Sequence, residues 1–426
     1  MSSKTLLRGG CVLTLGAKTA NLRQGDVLID GDVIAEVGPS IRARDAETID
    51  ATDTIVMPGF VDTHRHTSTA LFRNLGDLGP NGTPPGPIAA TATPDDVYAA
   101  TLVGLLGAAE AGITTVVDWL GAEPDDEHVR AALQAHADSG LRTVFVHPRV
   151  GEEVGTAGPR TGIAFGSTLQ PAPDLDAISA DWTRARGAGL RIHAHPGPEG
   201  PAPGAVARLG ERGLLGQDVT LLHRTEIDDA DVEAIGASEA GVSISPPSEM
   251  AGGLGPPPIQ QLIDRGIRPG LGVDDERIAP GDMFAQMRAT ISVQHATMFD
   301  RKLAGKAGLP KLMGTRDVIR HATVDGARVA GLTGVTGSIE RGMAADVIVL
   351  RADRPNIFPV NDPIGAVVWG MDTSNVDWVF VGGRVVMREG ALEADVRSAR
   401  ALAEEARLRV GAAPGVVAGA SSGGAV

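Results

Sequence analysis

The segment Val61-Asp62-Thr63-His64-Arg65-His66 is the first part of this 426-residue chain whose residue types could do chemistry. If it is a strand, its side chains alternate faces, so His64 and His66 point one way and Arg65 the other. Two neutral imidazoles at a strand end are the beginning of a divalent metal site. Residues of the same chemistry recur. His193 and His195 end a second apolar run, His223 ends a third, and Asp274 closes Leu271-Gly272-Val273-Asp274. Five of the ten histidines lie at such ends, which random scatter would rarely produce. His147 ends a further run, and with His193 it is a spare nitrogen ligand for a second metal or a residue that orients a ligand. Glu199, after Pro196-Gly197-Pro198, and Glu249, in Ser245-Pro246-Pro247-Ser248-Glu249, are candidate proton carriers, and Glu249 also a substrate contact. Arg65 and Arg73 could hold an anionic substrate group, with structural ion pairs as their other reading. His128, His136, His295 and His321 fall on predicted helices and read as surface or packing residues.

These residues need elements that bring them together. Candidate strands cover 60–62, 114–118, 142–146, 162–169, 190–195, 219–223, 242–245 and 269–274. Helical segments follow most of them, at 95–110, 128–139, 174–187, 205–214, 229–240, 258–265 and from 281 onward. Eight strands alternating with helices imply an α/β fold, a closed (β/α)8 TIM barrel, whose active sites gather at the strand ends. An open doubly wound sheet would announce itself with a glycine-rich phosphate turn after its first strand, and none is present. Residues 317–332 read as one helix. Both chain ends are β-rich, and they are expected to form one small β-sandwich, 1–57 plus 335–392, beside a barrel of 58–334. A terminal helix over 393–410 and a disordered Gly/Ala/Ser-rich tail, 411–426, complete the division. The stretch 76–94, rich in Gly and Pro, is long enough to be a lid after the first barrel strand.

Composition narrows the function classes. The formal net charge of −15 argues against a nucleic-acid-binding surface. A single cysteine, Cys11, rules out an internal disulfide framework and a thiolate metal cluster. No apolar run approaches the ~18–20 residues of a membrane span, so a cytoplasmic enzyme acting on a small molecule is expected. The Arg-rich, Lys-poor composition suggests a GC-rich bacterial genome. Aromatic residues are only 3% of the chain, which leaves few stacking partners for a planar substrate.

Several segments resemble the amidohydrolase superfamily. Pro58-Gly59-Phe60-Val61-Asp62-Thr63-His64-Arg65-His66 is similar to its strand-one signature, Gly112 to Asp118 to its second strand, and Leu221-Leu222-His223 to its sixth. Ala322-Thr323, Gly337-Ser338-Ile339 and Gly342-Met343-Ala344-Ala345-Asp346 resemble its return into the sandwich. The nearest branch contains triazine hydrolases and cytosine, guanine and adenosylhomocysteine deaminases. The resemblance implies metal ligands at His64, His66, His195 and Asp274. It prefers His195 to His193 because the strand-five ligand lies six residues after a helix-end glycine, here Gly189. His223 matches a histidine that polarises substrate or activated water in mononuclear members and binds a second metal in binuclear ones. Family members commonly form dimers, so a homo-oligomer is expected.

Two departures matter. Deaminases of this branch carry a glutamate three residues beyond the strand-five ligand, and here that position is Pro198, with Glu199 one further. The lysine that carries a bridging carbamate in binuclear members has no counterpart in Gly162 to Leu169. The expectation is therefore a hydrolase with one divalent ion, zinc by default and iron as the alternative. Metal-activated water would attack an amide, imide or amidine-like C–N bond. Asp274 would accept its proton, His223 would stabilise developing charge, and Asp274 or Glu199 would protonate the leaving group. Two alternatives are a non-haem (di)iron oxygenase that recruits His147, His193 and His223, and an inactive binding protein on the same fold.

Overall fold

A computed structural model describes residues 4–73, 92–120, 125–149, 158–197, 202–223 and 225–411. Eight strands form one parallel sheet: β6 (Phe60–Arg65), β7 (Ile113–Trp119), β8 (Arg142–His147), β9 (Thr161–Leu169), β10 (Arg191–Pro196), β11 (Val219–Leu222), β12 (Gly241–Ile244) and β13 (Gly270–Leu271), neighbours in that order. Five strands precede them in the chain and four follow. Every residue of β7 and of β12 is buried, as expected for parallel strands covered on both faces. Five helices between or after these strands start on side chains that accept from the first free backbone N–H groups. Thr93 does so for helix Pro94–Glu110, and Asp125, Asp174, Asp228 and Asp282 do so for four later helices.

The sheet closes on itself beyond β13. Asp274 N–H donates to the His64 carbonyl and His66 N–H donates to the Asp274 carbonyl, both at 2.9 Å. The strand expected over 269–274 is thus shorter in regular structure, but its last residues still dock on β6. Gly272 permits that approach, because a Cβ there would stand 2.8 Å from the His64 carbonyl oxygen and 2.9 Å from Ser245 Oγ. The architecture is a (β/α)8 barrel beside a second, nine-stranded sheet.

That second sheet joins both ends of the chain. Its strands are β1 (Lys4–Val12), β2 (Leu22–Asp30), β3 (Val33–Gly38), β4 (Ala46–Asp50), β5 (Thr54–Pro58), β14 (Val347–Arg351), β15 (Val376–Val381), β16 (Arg384–Arg388) and β17 (Ala391–Leu392). The order is β17-β16-β15-β14-β5-β1-β2-β3, with β4 on β1. β5 lies antiparallel to β14, Met57 opposite Ile348. Only Gly59 separates β5 from the first barrel strand, so this sheet anchors the strand that carries His64 and His66. Helix Val396–Gly411 packs against helix Pro94–Glu110.

The single helix expected over 317–332 is two, Thr315–His321 and Val324–Val329. The apolar period runs through, but Thr323 leaves helical geometry at φ −136°, ψ −92°, and Val61 N–H donates to the Ala322 carbonyl in the break. No helix among the described residues is long and apolar enough to cross a membrane. The tail beyond Gly411 lies outside the described residues.

Candidate metal centre

Three imidazoles at the barrel mouth are held from behind by oxygen atoms. His66 Nδ1 is 3.0 Å from the Trp119 carbonyl, His195 Nδ1 is 2.6 Å from the Pro196 carbonyl, and His223 Nδ1 is 3.0 Å from Glu249 Oε1. An acceptor in that position requires the proton on Nδ1, so Nδ1–H donates and Nε2 is the free side of each ring. This is the arrangement by which proteins fix the tautomer and angle of metal-binding histidines.

The free sides converge. His64, His195, His223 and Asp274 each offer a ligand atom within 4.8 Å of the others. Asp274 Oδ1 lies 3.3 Å from His64 Nε2 and 3.6 Å from Nε2 of both His66 and His223. The His66 ring centroid is 4.8 Å from that of His64 and 5.6 Å from that of His195. Both nitrogens of His64, and Nε2 of His195 and His223, are buried without a hydrogen-bond partner. Each such atom costs about 1–3 kcal/mol when left unmet. A divalent cation meets several at once, and this set of nitrogens with one carboxylate fits zinc or iron.

Electrostatics agree with that chemistry. Burial, reinforced by the neighbouring imidazoles, pushes His64 down to about 3 and His195 well below the ordinary histidine value, which keeps both in the neutral, ligating form. Burial resists the charge on Asp274, but His223 and His64 hold it ionised, well below the usual carboxylate range. His223 is the exception. Burial opposes its charge, yet Asp274 and Glu249 on either side outweigh burial and raise it.

Ser248 and Glu249 lie on one short helix, Pro246–Ala251. The Ser248 hydroxyl donates to Asp274 Oδ2. Glu249 Oε1 accepts from Ser245 N–H at 2.9 Å as well as from His223. His223 and Asp274 are also the two members of the cluster with left-handed backbones, φ 47° and 64°. For His223 this turn ends β11 one residue before the predicted strand end. Both are backbone states that most side chains avoid and that concentrate at functional sites.

The structure assigns the other sequence-predicted residues to different places. Arg65, expected near the substrate, is fully buried. It pairs with Asp62 at 2.7 Å and Glu276 at 3.2 Å and donates to the Gly281 carbonyl. Arg73 forms a two-point contact with Glu276, at 2.8 and 3.0 Å. Both arginines are thus committed to one internal network, which corrects the substrate-binding expectation. Glu249, also expected at the substrate, is fully buried behind His223. His193 is buried with neither nitrogen partnered, and burial, then Arg191, lowers it to about 3. His147 accepts the Arg149 backbone N–H at Nδ1, with Nε2 buried and unpartnered. Neither His147 nor His193 belongs to the converging group. Pro198, Glu199 and most of the 76–94 stretch lie outside the described residues. Of the remaining histidines, His136 is buried against Asp118 at 3.0 Å and His321 against Asp325 at 3.1 Å.

Sequence reasoning missed Trp119 and Ser248. Trp119 follows Asp118 at the end of β7, and a strand end in a barrel was the available signal. Ser248 stood beside Glu249, already singled out.

Comparison with known proteins follows the same line. The model of the amidohydrolase family matches residues 55–386. A 5-methylthioadenosine/S-adenosylhomocysteine deaminase of Pelotomaculum thermopropionicum is 28% identical, over 95% of this chain and 98% of its own. A 5'-deoxyadenosine deaminase of Methanothermobacter thermautotrophicus is also 28% identical, over 91% and 94%. Among solved structures, an adenosine deaminase from Xanthomonas campestris with bound zinc has a TM-score of 0.78 at 20% identity, covering 96% of this chain and 98% of that one. Atrazine chlorohydrolase from Arthrobacter aurescens TC1, complexed with zinc, has a TM-score of 0.79 at 21% identity, covering 95% and 100%.

Proposed function

The chain belongs to the amidohydrolase family, and from that premise we propose that it is a metal-dependent hydrolase whose ion is held by His64, His66, His195 and Asp274. The observation that carries this reading is that the buried Nε2 atoms of His64 and His195 lack partners beside Asp274, while oxygen atoms hold the rings of His66, His195 and His223 from behind. One ion per chain is the proposal, because β9 offers no lysine and neither His147 nor His193 joins the group. Zinc is proposed over iron, supported by the zinc in two structures of the same fold.

When bound, a divalent ion there supplies a Lewis acid that polarises the target and brings water within reach of deprotonation near neutral pH. Asp274 receives the water's proton on Oδ1, while the Ser248 hydroxyl occupies Oδ2. His223 is anchored on Glu249 through Nδ1 and presents Nε2–H to the atom on which charge develops. The leaving nitrogen takes its proton from Asp274, or from Glu199 if that residue reaches the site. The bond broken is the C–N bond of an amide, imide or amidine-like small molecule. The deaminases among the relatives make a ring amino group the first class to try. Pro198, where deaminases of this branch carry glutamate, points away from purine and pyrimidine rings that need a proton shuttled to a ring nitrogen. We also propose the domain division 1–57 plus 335–392, 58–334, and 393–410.

Metal analysis of protein purified without added metal tests this. About one zinc per chain is expected, with C–N hydrolysis lost on chelation and restored by zinc. Two irons per chain with an oxygen-dependent product would overturn it.

A further inference from the structure

Trp119 is the only ring other than histidine, among the described residues, in ring contact with the cluster. Its centroid is 5.2 Å from that of His195 and 6.3 Å from that of His64. The side chain crowns the apolar interior of the barrel, packed with Val117, Val144, Val146 and Ala164. Its seat is shaped for an indole. A Cβ on Gly166 of β9 would stand 2.9 Å from Trp119 Cη2 and 3.2 Å from Cζ2, so only glycine lets the six-membered ring reach across the mouth from β7.

The polar end of this side chain is unspent. A largely buried indole N–H usually finds an acceptor. Trp182, the other tryptophan inside the barrel region, donates its N–H to Ser167 Oγ at 3.0 Å. Trp119 is 7% exposed as a residue, yet its N–H makes no hydrogen bond to a described residue and is not among the buried unpartnered atoms, so it stays within reach of solvent. An unpartnered donor that solvent still reaches, beside a proposed metal centre and on a side chain whose placement depends on a neighbouring glycine, is a contact open to a ligand acceptor.

We propose that Trp119 is a specificity-determining residue whose indole N–H donates to an in-plane acceptor of the substrate. That acceptor is a ring nitrogen or carbonyl oxygen conjugated with the C–N bond that is cleaved. The inference rests on the hydrolase reading above and adds the substrate feature that the site reads. It also gives the site a neutral donor that does not depend on the position held by Pro198.

The test compares zinc-loaded wild type with W119F, which keeps an aromatic ring and removes the N–H. Adenosine, 5'-deoxyadenosine, cytosine and melamine all carry conjugated acceptors and serve as probes, with binding followed by calorimetry and turnover by ammonia release. At least one should bind wild type, and W119F should weaken its binding or raise its KM by about tenfold, more than it lowers kcat. G166A, which displaces the ring but keeps the N–H, should show the same loss. Zinc content monitors the separate duty of the Trp119 carbonyl on His66 and should stay at the wild-type level in both variants. Equal affinity in wild type and W119F, no binding of any of the four probes to zinc-loaded wild type, or zinc lost from both variants overturns the inference. A wild-type protein that carries no zinc overturns the hydrolase reading instead.

Discussion

Two polar clusters grow from the same strand and are opposite in kind. His64 of β6 enters a group with His195, His223 and Asp274 in which the Nε2 atoms of the three histidines are buried without partners, and the His66 ring lies 4.8 Å from that of His64. Asp62 and Arg65 of that strand enter a chain of opposite charges, Asp62–Arg65–Glu276–Arg73, with contacts of 2.7 to 3.2 Å. The second cluster sets each buried charge against an opposite one. The first leaves both nitrogens of His64 and Nε2 of His195 and His223 buried with no partner in the protein. A fold tolerates the second arrangement for structure. It tolerates the first only where a ligand finishes it. This contrast, more than the presence of histidine, separates a site from an internal salt bridge.

Breaking each cluster should therefore have different consequences. The largest effect is expected for His195→Ala, which removes a nitrogen whose tautomer is already set. Zinc content and turnover should fall together, by more than the roughly 10–100-fold carried by partners of ligands, while thermal stability without metal stays the same or rises. Glu276→Ala should do the reverse. It leaves Arg65 buried with one partner fewer, so the urea midpoint should drop by an amount equivalent to about 3–5 kcal/mol, with zinc per folded chain unchanged. If Glu276→Ala instead strips zinc from folded protein, the two clusters are one system and the contrast fails.

Smaller effects sharpen the comparison. Glu249→Ala frees the His223 ring and is expected to cost about 10–100-fold in turnover, with Glu249→Gln, which still offers an oxygen to Nδ1–H, retaining most of it. Equal losses in both variants would show that the charge rather than the tautomer matters. The smallest effect concerns His147. Burial, then Arg149, lowers it from 6.5 to about 4. Between those values the unfolded chain binds the proton and the folded one does not, so His147 makes stability decline as pH falls from about 6.5 to about 4, with no further decline below. His147→Asn should flatten that part of a urea-midpoint profile. An unchanged slope would assign the acid sensitivity to other groups.

Much of this was legible in the residues. The alternation of short apolar runs with helical segments announced the barrel, and His64, His66, His195, His223 and Asp274 all stood at ends of runs that became strands or docked beside them. What alternation cannot reveal is the partner of a polar group. Arg65 was correctly turned from His64 and His66, but that its charge is met by Asp62 and Glu276 depends on residue 276 returning to residue 65, a contact across 211 positions. The split of the 317–332 helix was hidden for the same reason. The apolar period is continuous, and the break at Thr323 serves contacts with β6 that local propensity does not encode. Trp119 went unremarked in the sequence, because its placement depends on an absence of side chain at Gly166 on another strand.

The pairing of β5 with β14 has a consequence for how the protein is made. Met57 waits for Ile348, about 290 residues later. At roughly 5–20 residues per second, a ribosome takes about 15–60 s to supply that partner. Throughout that interval the strand next to the first two imidazoles has an open backbone edge on its β14 side, and the sheet that anchors it is half built. Anchoring of the first barrel strand is thus tied to a stretch made about 290 residues later, and a nascent chain stalled before residue 347 would present an unpaired edge to its neighbours.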